Sequence, residues 1–167
     1  PTSAREFPQA VALVGRVLDA FGLRGKIKVR LITNGSLMQR QPVLDAVAAL
    51  AALNGEVWFK VDRATPAGMA AINQIEAGVM GVKRRLLACA ARCPTWIQTC
   101  WFALDGVPPS DAEVHAYLAL LREVPPTIQG VHLYGIARQP MPPGAEAFST
   151  LPEEVLAASG EAIHQLG

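Results

Sequence analysis

The sequence predicts an α/β fold built on parallel strands, and three observations lead there. Helix-like and strand-like segments alternate along the whole chain. The strand-like segments begin roughly 30 to 40 residues apart, which leaves room for a helical crossover between each pair. The strands themselves are mostly apolar, as expected where both faces of a sheet are covered.

The first helix is expected from Pro8, a residue suited to an opening helical position. Val11, Val14, Leu18 and Phe21 come at spacings that put them on one apolar face, and Gly22 is a natural stop. Lys26 to Thr33 reads as a strand, ended by the turn pair Asn34-Gly35. Pro42 opens a second helix that runs to Leu53 and closes at Asn54-Gly55. Glu56 to Asp62 is the next strand. Thr65-Pro66 begins a third helical region that reaches about Ile75, breaks around Gly78, and resumes to about Cys93, before Pro94. Thr95 to Phe102 is the third strand.

Ser110 and Glu113 have the spacing of a capping box for a helix bearing Val114, Tyr117, Leu118 and Leu121, ended by Pro125-Pro126. Ile128 to Tyr134 is the fourth strand. The Pro-rich stretch from Gln139 to Gly144 reads as a long loop. Thr150 and Glu153, around Pro152, read as a second capping box for a last helix with Val155, Leu156, Ile163 and Leu166. Four strands cannot close a barrel that needs about 250 residues. The sheet is therefore expected to be an open or truncated partial barrel, with residues 1–167 forming one domain short of strands at both ends. The opening Pro1 agrees with a trimmed chain.

The bulk numbers exclude several classes. With 51% hydrophobic and 17% charged residues, the chain is no disordered segment. A net charge of +1 gives no electrostatic reason to expect nucleic acid or an anionic membrane. No apolar run reaches the roughly 18 residues of a membrane span, and no leader pattern opens the chain. Three cysteines do not make a disulfide framework, which points to reduced thiols and a cytoplasmic setting.

Lys28, Arg30, Lys60 and Gln98 interrupt the apolar strands, so they either lie at an open edge or face a ligand. Parallel α/β folds bind ligands at the carboxyl ends of strands. That rule selects Asn34, Lys60, Asp62, Gln98 and Tyr134. Lys60 and Asp62, two apart, share a strand face; they are either ligand contacts or a pair at a solvated strand end. Gln98 needs partners if buried, from a ligand or a backbone carbonyl. Asn34 is first a turn former and second a candidate contact, and Tyr134 either holds substrate or packs in the core. Arg138 could meet an anion but reads better as a surface residue. Lys83, Arg84 and Arg85 read as a solvated face. His115, His132 and His164 lack metal-ligand spacing, and packing explains Trp58, Trp96 and Trp101. Neither nucleotide-binding glycine motif is present, and Gly22 to Gly25 comes after a helix, so it is no phosphate loop.

Thr33-Asn34-Gly35, then Val57 to Asp62, Ile72-Asn73, Ile97-Gln98-Thr99 and Val131 to Tyr134 occur in an order that resembles the radical S-adenosylmethionine (SAM) enzymes. Pro1-Thr2 resembles the residues just after that family's Gly-Gly-Glu-Pro turn. The resemblance spans nearly the whole chain and implies a partial (βα) barrel of the radical SAM type. It implies SAM as cofactor, and a [4Fe–4S] cluster held by a C-x3-C-x2-C loop. Reductive cleavage of SAM would then yield a radical that abstracts hydrogen from a substrate the sequence does not identify. By position, Lys60 would meet the SAM carboxylate, Asp62 the ribose hydroxyls or amino group, and Asn34 and Gln98 further polar atoms.

The cluster loop would lie upstream of Pro1. Cys89, Cys93 and Cys100 have the wrong spacing and read as core thiols, so no metal ligand is assigned and this segment alone is expected to be inactive. The alternative function is a non-catalytic α/β module that binds a nucleotide or a partner without a cluster. Open sheet edges are expected to favour self-association.

Overall fold

The structure, a computed structural model, describes residues 1–73, 78–137 and 144–166. The elements, in order, are helix α1 (Phe7–Ala20), strand β1 (Val29–Thr33), helix α2 (Gln41–Ala51) and strand β2 (Gly55–Lys60). A single helical turn, α3 (Pro66–Gly68), runs into a π-helical turn (Met69–Asn73). Next come helix α4 (Gly78–Ala90), strand β3 (Thr95–Cys100), strand β4 (Ala103–Leu104), helix α5 (Asp111–Arg122) and strand β5 (Ile128–Tyr134). A short 3-10 turn, strand β6 (Phe148–Ser149) and helix α6 (Glu153–His164) complete the chain. Strands β1, β2, β3 and β5 form one parallel sheet in that order, while β4 and β6 make a small antiparallel ribbon. The expected α/β class with an open parallel sheet is therefore present. Among the described residues no helix is long and apolar enough to cross a membrane.

Contacts divide the chain into two compact units interleaved in sequence. The first comprises Pro1–Lys60, Met80–Ile97 and Val124–Gly130. In it α1 packs on α2. The buried stripe of α1 is Phe7, Val11, Gly15 and Leu18. Val14 and Phe21, expected on the core face, are instead 37% and 74% exposed. Gly15 on this stripe faces the Leu53 side chain, 3.4 Å from where a Cβ would stand, an ordinary packing distance. Gly22 ends α1 as expected, at φ +61°: its N–H bonds to the Asp19 carbonyl and the Leu23 N–H to the Leu18 carbonyl, the paired bonds of a Schellman cap. Residues 26–28, expected in the first strand, belong instead to the connection from that cap, and β1 starts at Val29, opposite Gly55.

Arg30 on β1 proves to be a cross-strand partner. Its Nε donates to Glu56 Oε1 at 2.7 Å, and its guanidinium stacks 5.3 Å from the Trp58 ring centre. Lys28 approaches the same carboxylate at 3.9 Å. These cations hold the Glu56 carboxyl below its ordinary range. Of the basic run on α4, Arg84 is exposed but Arg85 is half-buried: its Nε bonds to the Gly81 carbonyl and its Nη2 is enclosed without a partner among the described residues. The expectation of a wholly solvated face does not hold there.

The second unit comprises Val61–Val79, Gln98–Glu123 and Val131–Gly167. Its core centres on Trp101 and Tyr117, packed edge to face with centroids 5.4 Å apart. The Tyr117 hydroxyl meets Thr99 Oγ1 at 2.5 Å, and that oxygen donates to the Val61 carbonyl at 2.9 Å. The third strand stops at Cys100, two residues earlier than expected, and Ala103-Leu104 turns aside to pair with Phe148-Ser149. The second capping box is absent: α6 begins at Glu153, Pro152 is its N-cap, and no side chain caps it. The Pro152 carbonyl accepts from Val155 and Leu156 instead. Arg138 and the loop expected from Gln139 lie outside the described residues, as do 74–77 within the third helical region.

Candidate functional site

The expected site residues divide between the two units. In the first unit, Asn34 is exposed and acts as a turn former. Its Oδ1 accepts from the Ser36 N–H at 3.2 Å and from the Ser36 hydroxyl at 2.7 Å. Gly35 comes next at φ +73° with the Phe59 ring against its α-carbon, so a side chain there would overlap the ring. Lys60, the last residue of β2, is half-buried.

In the second unit, Asp62 is 4% exposed, and its Oδ1 accepts the Cys100 N–H at 2.9 Å. The strands alternate so that Thr99 is buried while Gln98 and Cys100, on the other face, are half-buried. The Gln98 carbonyl takes the Val61 N–H at 3.0 Å, yet its side-chain Oε1 is enclosed with no partner among the described residues. A buried amide oxygen without a donor costs about 1–3 kcal/mol, so an N–H or O–H brought to this atom would be stabilising. Tyr134 is half-buried. Burial, with Cys100 and Asp62 nearby, pushes its hydroxyl up to about 12. Asp62 and Gln98 are thus brought into one unit with Cys100 and Tyr134, while Asn34 and Lys60 belong to the other.

Two residues near Asp62 carry more structure than their sequence positions suggest. Arg63 is 6% exposed. Its Nη1 donates to the Asp62 carbonyl at 2.8 Å and its Nη2 to the Phe102 carbonyl at 3.1 Å, and the guanidinium lies 4.7 Å from the Phe102 ring centre. Burial lowers its pKa, partly offset by the charges of Glu113 and Asp62. Glu113, also 6% exposed, accepts from the N–H groups of Ala64 and Thr65 and from the Thr65 hydroxyl. Its own N–H does bond to Ser110 Oγ at 3.3 Å, half of the expected capping box. The carboxylate, however, clamps the 64–65 turn rather than the helix start. A buried arginine and glutamate are rare enough to draw notice, but their contacts are long-range and leave no local pattern.

The cysteines do not suit a metal. Cys89 and Cys93 are buried, and burial pushes their thiols up to about 11 and about 12, so both stay protonated at neutral pH. Cys93 Sγ donates to the Gly55 carbonyl, and Cys89 Sγ lies 3.6 Å from Thr95 Oγ1. Among the described residues no group of three or more His, Cys, Asp or Glu is arranged to hold a metal ion.

No protein-family model and no curated protein matches the chain. Among solved structures, its fold is similar to that of a domain of pyruvate-formate lyase-activating enzyme from Bacteroides vulgatus, at a TM-score of 0.66 and 15% identity. The likeness covers 98% of this chain and 91% of that one.

Proposed function

We propose that this chain is a radical SAM-type partial barrel whose strand ends receive the adenosyl part of SAM. Two lines support the reading: the ordered motifs at the strand ends, and a fold shared nearly end to end with a domain of pyruvate-formate lyase-activating enzyme. The observation that carries it is the enclosed Gln98 Oε1, an acceptor without a donor among the described residues, in the carboxyl half of β3, the end of a strand near which α/β folds bind ligands. SAM offers suitable donors in its adenine amino group, ribose hydroxyls and ammonium. Asp62 adds a carboxylate in the same unit, held by the Cys100 N–H. For Asn34 and Lys60 the assignment rests on the motif resemblance alone.

In the family, SAM together with an iron–sulfur cluster supplies hydrogen-atom abstraction from a substrate. The cysteines of this chain do not fit the cluster, and no step is assigned to them. On this reading the chain by itself releases no 5′-deoxyadenosine when supplied with iron, sulfide and a reductant. Its reduced, buried thiols support a cytoplasmic setting.

The test is calorimetric titration with S-adenosylhomocysteine, which carries the same adenosyl group. The expected result is saturable binding that falls at least tenfold in Gln98→Leu. In the unliganded protein, that substitution raises the stability read in urea by about 1 kcal/mol, because an unpaired buried oxygen is removed. Absence of binding at about millimolar ligand, or undiminished binding by the variant, overturns the assignment.

A further inference from the structure

The second unit contains a cavity that the SAM reading does not use. It has a volume of about 260 Å³ and opens between the α3 and π-helical turns and the loop leading into α5. That is below the roughly 300–1,000 Å³ of pockets for drug-sized ligands, and suits a smaller molecule. Its wall is mostly apolar: Ala71, Ile72, Leu104, Val107 and the pair Pro108-Pro109. The polar part is Arg63, Glu113 and Ser110.

Charge and hydrogen bonding decide what this wall would accept. Arg63 has five N–H donors, and the Asp62 and Phe102 carbonyls take two of them. The Phe102 ring and these carbonyls hold the planar group in place, so little freedom is lost when it binds. Glu113 carries the opposite charge on the same wall, but three donors from Ala64 and Thr65 already converge on its two oxygens. It fixes the turn after Arg63 and presents less acceptor capacity to the cavity than Arg63 presents donor capacity. The π-helical turn beside it is a departure from α geometry often found at functional sites. Gly68, also in the wall, allows the close approach: a Cβ there would stand 2.5 Å from Glu113 Oε2 and 3.0 Å from Thr65 Oγ1.

We propose that this cavity binds a small monocarboxylate with an apolar body, its carboxylate held by Arg63 and its hydrocarbon part seated against Ile72, Leu104, Val107 and the two prolines. A guanidinium takes a carboxylate through two parallel N–H donors. An uncharged amide of the same shape would place an NH2 group against those donors and bind worse.

The test uses isovalerate and benzoate as probes, with isovaleramide and benzamide as their neutral counterparts, and reads binding by NMR titration of the whole chain. The expected result is saturable shifts in the signals of residues 63–72 and 104–113, with the acids at least tenfold tighter than the amides. Arg63→Lys, which keeps the charge but loses the fork, is expected to weaken the acids at least tenfold. Because Arg63 also ties two carbonyls, a second variant leaves it intact: Val107→Trp, at an exposed position on the rim, fills the opening and abolishes binding while the fold persists. Equal affinity for acid and amide, shifts scattered away from these residues, full binding by Val107→Trp, or no shifts at about 10 mM probe each overturn the proposal.

Discussion

At the level of single residues, Glu113 ties together two stretches of chain 48 residues apart, through the Thr65 N–H at 3.0 Å and the Thr65 hydroxyl. Hydrogen bonds to an ionised, buried acceptor each stabilise by about 1.5–3 kcal/mol. Glu113→Gln keeps the shape, removes the charge and turns an NH2 toward donors. It is expected to destabilise the protein by about 2–3 kcal/mol in urea unfolding; a loss below about 0.5 kcal/mol would show that the clamp matters little. Ser110 and Glu113 were legible in the sequence as a cap because capping is local, and the N–H to Ser110 Oγ bond is present. The carboxylate's real partners were not legible, because nothing near residue 113 in sequence reports on residue 65. Gln98 lies between these cases: a polar residue in an apolar strand marks itself, and an oxygen with no partner among the described residues gives that mark a physical meaning.

At the level of elements, the turn after β1 depends on Gly35. Its φ of +73° suits glycine, and the Phe59 ring occupies the space a Cβ would need. Gly35→Ala therefore meets backbone strain and a clash together, and is expected to cost about 2–4 kcal/mol, read from the shift in the thermal or urea transition. Strand β1 stands at one end of the sheet order, with no further strand beyond it among the described residues, and its Ile32 is 45% exposed. Edges of this kind invite pairing with another chain. We expect sedimentation at about 50 µM to show concentration-dependent association, reduced by Ile32→Lys. A clean monomer at that concentration would count against it. Helix α1 shows where periodicity misleads: its apolar residues cover more of the surface than one face, so spacing alone could not tell that Val11 and Leu18 are buried while Val14 and Phe21 are not.

At the level of the whole molecule, the ionisable groups buried without charge set a limit on stability at high pH. Burial raises Cys89 to about 11, Cys93 to about 12 and Tyr134 to about 12. Each group holds its proton more tightly folded than unfolded, where cysteine titrates near about 8.5 and tyrosine near about 10. The stability they contribute is thus complete below about pH 8.5 and is lost as pH rises toward the folded values. The urea midpoint is expected to stay flat from pH 7 to about 8.5 and to fall steadily from about 9 to 11. In the native protein at about pH 8, a thiol reagent should leave Cys89 and Cys93 unmodified and reach them only after unfolding. Prompt modification of either thiol at that pH would show that their burial is not kept in solution.

Local pattern was enough to establish the α/β class and the order of the main helices and parallel strands. Those properties follow from periodicity, from turn residues and from the crossover length between strands, all of which act over a few neighbouring positions. It took the folded chain to reveal that Arg30 serves Glu56, that Glu113 clamps the 64–65 turn, that the Gln98 side-chain oxygen is enclosed, and that Arg63 lines a cavity. These depend on which distant residue arrives opposite, and on how much water is removed when it does. Burial and hydrogen-bond partnership are set by packing across the whole chain, so no window of sequence contains them.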